Sequence, residues 1–149
     1  MNKLDKYKGD RWFHHTATDE VLEALVGQTL RSAEKRDDER WGDILALTTQ
    51  DGYLVELYHE QDCCESVDIE DIAGDLDDLV GAQLVLCEES TSWKTDPAPE
   101  HPDNSWTWSF YKFATNKGHV TVRWLGESNG YYSETVNVRV THLDAQGGE

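Results

Sequence analysis

The sequence predicts an α+β fold: a largely antiparallel, curved sheet of about seven strands with two short helices packed on one face. Three observations predict it. Short runs rich in Val, Leu, Tyr and Trp recur between turn signals such as Gln50-Asp51-Gly52 and Asn116-Lys117-Gly118. Two other stretches carry apolar residues near helical spacing. The order is strand-rich, helix, strand-rich, without the regular strand-helix alternation of a parallel sheet. A chain of 149 residues with 38% hydrophobic residues is long enough to bury one core and too short for two ordinary ones. The expected organisation is an N-terminal arm over residues 1–17, one domain over 18–143 and a frayed tail over 144–149.

The arm is polar and carries a Gly9-Asp10 breaker. Thr18 then offers an N-cap, Asp19 and Glu20 suit the helix dipole, and Val21, Leu22, Leu25 and Val26 form an apolar stripe that Gly27 ends. Residues 29–35, 43–49 and 53–59 read as a meander, with Asp51-Gly52 supplying a tight hairpin turn. In the acidic stretch 66–79, the residues Val67, Ile69, Ile72, Leu76, Leu79 and Val80 lie near helical spacing and predict a second helix, which Gly74 weakens. The run Leu25-Val26-Gly27-Gln28-Thr29-Leu30 is echoed by Leu79-Val80-Gly81-Ala82-Gln83-Leu84. In both, a glycine stands where a helix hands over to a strand, which we read as one local solution used twice; a true repeat needs far more matching positions.

Residues 83–88 read as a buried strand and 92–105, with Pro97, Pro99 and Pro102, as a long exposed loop. Residues 106–113 alternate aromatic residues onto both faces of a strand, residues 119–125 follow a tight turn, and 131–140 form the last strand. Trp106, Trp108 and Trp124 fall on strands and are expected in the core. Trp41 and Trp93 lie at element ends, where an exposed aromatic anchor fits. Trp12, with His14 and His15, is placed as a lid on the first helix.

The formal charge is −17, and from residue 41 to 93 there are fourteen Asp and Glu and no Lys or Arg. Such a field repels phosphate backbones and anionic lipid and attracts basic surfaces, so direct nucleic-acid and membrane binding are not expected. The acids Asp68, Glu70, Asp71, Asp75, Asp77 and Asp78 are the candidate acidic surface. It is either a face that imitates nucleic acid for a basic partner or general solubility charge. No stretch reaches the ~20 apolar residues of a membrane span, and no signal-peptide core precedes the domain, so the expected location is the cytoplasm. Three cysteines, with Cys63 and Cys64 adjacent, do not form a spaced disulfide framework, so reduced thiols are expected.

Two segments carry the functional candidates. In 59–65, the residues His59, Gln61, Asp62, Cys63, Cys64 and Glu65 follow a strand on a loop, where binding groups tend to be placed. These are also zinc-type ligands, and Cys87 would join His59, Cys63 and Cys64 as weak metal candidates. Against metal, structural zinc sites present two separated pairs. No signature marks either cysteine as a nucleophile, and the second histidine of a His-Glu-x-x-His motif is replaced by Cys63. In 126–134, glycines allow close backbone approach, Ser128 and Asn129 supply polar groups, and Tyr131 or Tyr132 offers a stacking ring. Asn129-Gly130 is equally a common hairpin turn.

Four runs together resemble a family of small proteins encoded by tailed phages. They are Tyr58-His59-Glu60-Gln61-Asp62-Cys63-Cys64-Glu65-Ser66-Val67, Asp71-Ile72-Ala73-Gly74-Asp75-Leu76-Asp77-Asp78-Leu79-Val80-Gly81, Phe110-Tyr111-Lys112-Phe113-Ala114-Thr115, and Trp124-Leu125-Gly126-Glu127-Ser128-Asn129-Gly130-Tyr131-Tyr132-Ser133-Glu134. The resemblance covers residues 22–140. It implies a phage accessory protein in the host cytoplasm and supplies no catalytic residue or cofactor. The leading expectation is therefore a non-enzymatic inhibitor or modulator whose acidic surface meets a host protein with a basic surface, defence proteins included. Alternatives are a binder of a small nucleotide signal, built from the two loops, and a metal-binding module.

Overall fold

The computed structural model describes residues 2–9, 18–93, 98 and 105–143. Trp12, His14, His15, most of the proline-rich loop and the tail lie outside the described residues. The order is α1 (Thr18–Leu25), β1 (Leu30–Asp38), β2 (Gly42–Thr49), β3 (Tyr53–Tyr58), β4 (Ser66–Ala73), a 3-10 turn (Leu76–Leu79), β5 (Leu86–Trp93), β6 (Ser105–Thr115), β7 (Gly118–Ser128) and β8 (Asn137–His142). The expected single curved sheet with two helices is overturned. The strands form two four-stranded antiparallel sheets, in the orders β1-β2-β3-β8 and β4-β7-β6-β5, and α1 is the one α-helix among the described residues.

The main correction falls on residues 66–79. Val67 and Ile69 are buried while Asp68 and Glu70 are exposed, which is the period of a strand. A register shift between Ile69 and Asp71 breaks that alternation before Ile72. The slip turned a period of two into something that resembles helical spacing. Gly74, at φ +112, ends the strand where a Cβ would lie 2.6 Å from the His119 carbonyl oxygen. Only Leu76–Leu79 is helical, as a 3-10 turn whose Asp75 side chain accepts from the Asp77 amide. Two strand boundaries also move. The segment expected as a buried strand at 83–88 begins its pairing at Leu86 and forms a sheet edge, with Val85 64% exposed. The last strand begins at Asn137, and Tyr131 and Tyr132 belong to the loop before it.

Each sheet is a three-strand meander completed by a strand from the other half of the chain. After β3 the chain crosses over, and β4 pairs with β7; after β7 it crosses back, and β8 pairs with β3. The two echoing segments lie against each other at the junction. The Gly27 amide donates to the Leu84 carbonyl (2.7 Å), and the Gly81 amide donates to the Leu30 carbonyl (3.0 Å). Both glycines have positive φ, +92 and +85. The echoed segments thus stand at matching places in two halves of like topology, α1 before β1-β2-β3 and the 3-10 turn before β5-β6-β7.

Both sheets direct alternate side chains into one core. Leu45, Leu47, Val55, Leu57, Val138 and Val140 come from the first sheet, and Val67, Tyr111, Phe113, Val122 and Trp124 from the second. Helix α1 adds Val21, Leu22 and Leu25 and leaves Asp19, Glu20 and Glu23 outside. Residues 2–9 of the arm pack onto this body: Leu4 is fully buried, and the Gly9 amide donates to the Val140 carbonyl. Beside α1, the Tyr111 hydroxyl donates to Glu89 at 2.5 Å. Burial pushes the Glu89 carboxyl above its ordinary value, the Tyr111 hydrogen bond opposes this, and Asp19 across the contact reinforces it. A raised carboxyl gives up stability as pH climbs from the unfolded value through the folded one. Glu89→Gln is therefore expected to stabilise the protein at neutral pH by about 1 kcal/mol. Thermal unfolding at pH 7 and pH 4 checks this, because the gain should shrink at the lower pH.

Candidate interaction surface

The two motif loops are the two crossings between sheets, residues 59–65 and 129–136, and they meet. His59 is buried, and its Nδ1 donates to the Thr135 carbonyl at 2.7 Å. Its Nε2 lies 2.8 Å from Glu65 Oε2. The Glu60 amide donates to Asn137 Oδ1 at 2.8 Å, a second tie between the loops. Glu65 also accepts from the Asp62 amide (2.8 Å) and the Cys63 amide (2.9 Å), while Gln61 Nε2 donates to the Glu65 carbonyl (2.5 Å). Burial pushes the Glu65 carboxyl upward, but the two amides and His59 outweigh it and hold the group down at about 2.

The second crossing has its own buried carboxylate. Glu134 accepts from Thr107 Oγ1 at 2.7 Å and from Ser128 Oγ at 2.5 Å, and Ser128 Oγ in turn accepts from the Gly130 amide. Gly126 lies inside β7 and is not part of a turn; a Cβ there would run into the Glu134 carbonyl, so the glycine permits backbone-to-backbone approach. Asn129-Gly130 does turn the chain, with Asn129 Oδ1 accepting from the Tyr131 amide. It leads from one sheet to the other and so is not a hairpin.

Most polar groups expected to bind a ligand are therefore occupied. His59, Glu65 and Ser128 are buried and hydrogen-bonded within the crossings. Asp62, Cys63, Cys64, Asn129 and Tyr131 are exposed, Tyr131 at 89%. Cys63 and Cys64 are joined to each other in a disulfide, contrary to the expected free thiols. The four weak metal candidates do not assemble. Cys87 pairs with Phe113, which pairs with Val120, seven residues along β7 from the Glu127 that faces the start of β4. At the rise of a strand that is roughly 23 Å. Burial alone pushes the Cys87 thiol up to about 12. Native protein is expected to leave Cys87 unalkylated at pH 8, with labelling only on unfolding; peptide mass mapping after iodoacetamide treatment checks this.

The acidic run divides into two populations. Glu56 is buried against Arg139 (2.8 Å), Glu65 holds the first crossing, Asp43 accepts from the Ile69 amide (2.9 Å), and Glu89 meets Tyr111. All four have partners within the fold, three of them as supports and Glu89 at a cost to stability, so the acidic surface is narrower than the whole run from 43 to 89. Of the ten others, Asp51, Asp62 and Glu88 are exposed elsewhere and Glu60 is half-buried, while Asp68, Glu70, Asp71, Asp75 and Asp77 are exposed along β4 and just beyond it, with Asp78 half-buried. Glu70 is paired with Arg123. Because β4 is the outer strand of its sheet, these carboxylates border the outward face of β7 and β6.

That face is aromatic. On β6 the inward positions are Thr107, Ser109, Tyr111 and Phe113, and the outward ones are Trp106, Trp108 and Phe110, each half-buried. The core placement expected for Trp106 and Trp108 is thus corrected; Trp124 alone of the three is fully buried. On the pleat, residues two apart share a face, and β6 carries aromatic residues on both, so sequence alone left the choice open. Trp41 is half-buried, edge-on to Tyr58. Trp93 ends β5, and its side chain lies outside the described residues.

Two clefts of about 400 and 490 Å³ lie against residues 2–7 and α1, away from the crossings. Among the described residues no helix is long and apolar enough to cross a membrane. No curated protein and no solved structure matches the chain. A family match does extend over residues 23–138, from the middle of α1 into β8, and so takes in both crossings and the acidic aromatic sheet. By that match the chain belongs to the family described as "Domain of unknown function (DUF7448)".

Proposed function

We propose that this protein acts by binding, presenting the acidic border of its second sheet to a basic surface on a partner protein. In the setting the sequence resemblance suggests, it is a tailed-phage accessory protein, and the partner is a host protein that it inhibits or modulates, defence proteins included. The observation that carries the reading is the sorting of the acids. Glu56 and Glu65 are buried and hydrogen-bonded inside, while Asp68, Glu70 and Asp71 stand exposed together on one strand, with Asp75 and Asp77 directly after them. A solvated carboxylate row beside an aromatic face attracts cations without the cost of desolvating buried charge. A host protein that ordinarily holds nucleic acid would offer the complementary surface.

The test is affinity capture from host lysate at low and high salt, using the native protein beside the triple variant Asp68→Asn, Glu70→Gln, Asp71→Asn. Exposed substitutions of this kind leave stability within about 0.5 kcal/mol. A basic protein retained at low salt by the native chain, released at high salt and not retained by the variant is the expected result. Equal capture by both chains would refute the reading.

A further inference from the structure

We infer that Trp106 and Glu127 form a seat for an arginine side chain of the partner; this rests on the acidic-border reading and names the chemistry that the border recognises. On the outer faces of the two sheets, aromatic rings are matched with guanidinium groups of the chain itself. Arg40 lies 4.5 Å from the Trp41 ring centre, Arg139 lies 5.2 Å from Tyr58, and Arg123 lies 5.1 Å from Trp108. In the last two cases a carboxylate completes the arrangement: Arg139 pairs with Glu56 and Arg123 with Glu70.

Among the described residues, Trp106 repeats this pattern without a cation. It is half-buried on the same outward face as Trp108, one step along β6, and Glu127 of β7 stands directly opposite it. Directly opposed residues of a sheet hold their Cβ atoms about 5 Å apart, so ring and carboxylate lie within one side chain's reach of each other. Ser66 pairs with Glu127, and Asp68, two residues further along β4, adds a second carboxylate to the border. Among the described residues no Lys or Arg reaches Trp106 or Glu127. A planar guanidinium lying on the indole and donating to Glu127 completes what Arg123 completes beside it. Arginine suits this better than lysine, because its weakly hydrated fork stacks and hydrogen-bonds at once.

The experiment measures the affinity of labelled decaarginine and decalysine peptides at low salt, for the native chain, Trp106→Leu, Trp106→Phe, Glu127→Gln and the triple variant on β4. Decaarginine is expected to bind the native chain about fivefold more tightly than decalysine. Trp106→Leu should erase most of that preference while leaving decalysine binding unchanged, Glu127→Gln should erase most of it while weakening decalysine only by the loss of one border charge, and Trp106→Phe should retain part of it. Thermal unfolding verifies that each variant is folded, and Glu127→Gln carries the test if Trp106→Leu is not. If the native chain binds both peptides equally, or the preference survives Trp106→Leu and Glu127→Gln, the seat is refuted. The acidic border stands in that case provided the triple variant weakens both peptides. If neither peptide binds the native chain, the border and the seat fall together.

Discussion

Glu65→Ala is expected to remove about 3–5 kcal/mol of folding stability, because it leaves buried donors on His59, Asp62 and Cys63 without their shared acceptor. For a domain whose total stability is of order 5–15 kcal/mol, that is enough to populate the unfolded chain. The loss should appear as a shift in denaturant midpoint with little change in slope. The same carboxylate sets an acid dependence. Its folded value of about 2 lies below the ordinary 4.5, so its contribution is complete above the ordinary value. That contribution is lost as pH falls from there toward 2. Glu65→Gln should be less stable than the native chain at pH 7 and should show a shallower loss of stability across that window. An acid slope unchanged by the substitution would mean that Glu65 does not hold the crossing.

Gly126→Ala is expected to cost about 3 kcal/mol. The added methyl meets the main-chain carbonyl of Glu134, which no side-chain rotation can move aside. The second crossing would then be pushed off β7, drawing Glu134 away from Thr107 and Ser128. Gly130→Ala makes the contrast. Its methyl would meet nothing within 4 Å, and only the positive φ of 100 opposes it, so about 1 kcal/mol is expected. Chemical denaturation of both variants checks the ordering.

These two residues also show what the sequence made legible. The segments 59–65 and 126–134 that contain Glu65 and Gly126 were recognisable as special from their density of His, Asp, Cys, Gly and Tyr, and the two crossings do meet. Their purpose was not recognisable, because it depends on which sheet each following strand joins. The hairpins β1-β2-β3 and β6-β7 were legible, since turn residues such as Asp51-Gly52 and Asn116-Lys117 act between neighbours in sequence. The pairings β3-β8 and β4-β7 join distant strands, and alternation says that a strand exists without naming its partner. β4 was hidden further by its bulge and by the acids that fill its outward positions, which are poor strand formers. The glycine echo was legible as a local pattern. Its meaning lay in the reciprocal hydrogen bonds between Gly27, Leu84, Gly81 and Leu30, which no local pattern displays.

The acidity was plain from composition, but its division into structural and exposed carboxylates was not. Arg139 reaches Glu56 and Tyr111 reaches Glu89 across strand pairs. Such partners become visible only once the register is known. What remained after those pairings includes one continuous border along β4, with Asp51, Asp62 and Glu88 exposed elsewhere.

Carbodiimide labelling of surface carboxylates, free and in complex with the captured partner, tests the account most directly. Binding should shield Asp68, Glu70 and Asp71 from modification while the exposed acids of the opposite sheet, such as Asp37 on β1, label equally in both states. Uniform labelling of the β4 acids with and without partner, or shielding centred on β1, would contradict it.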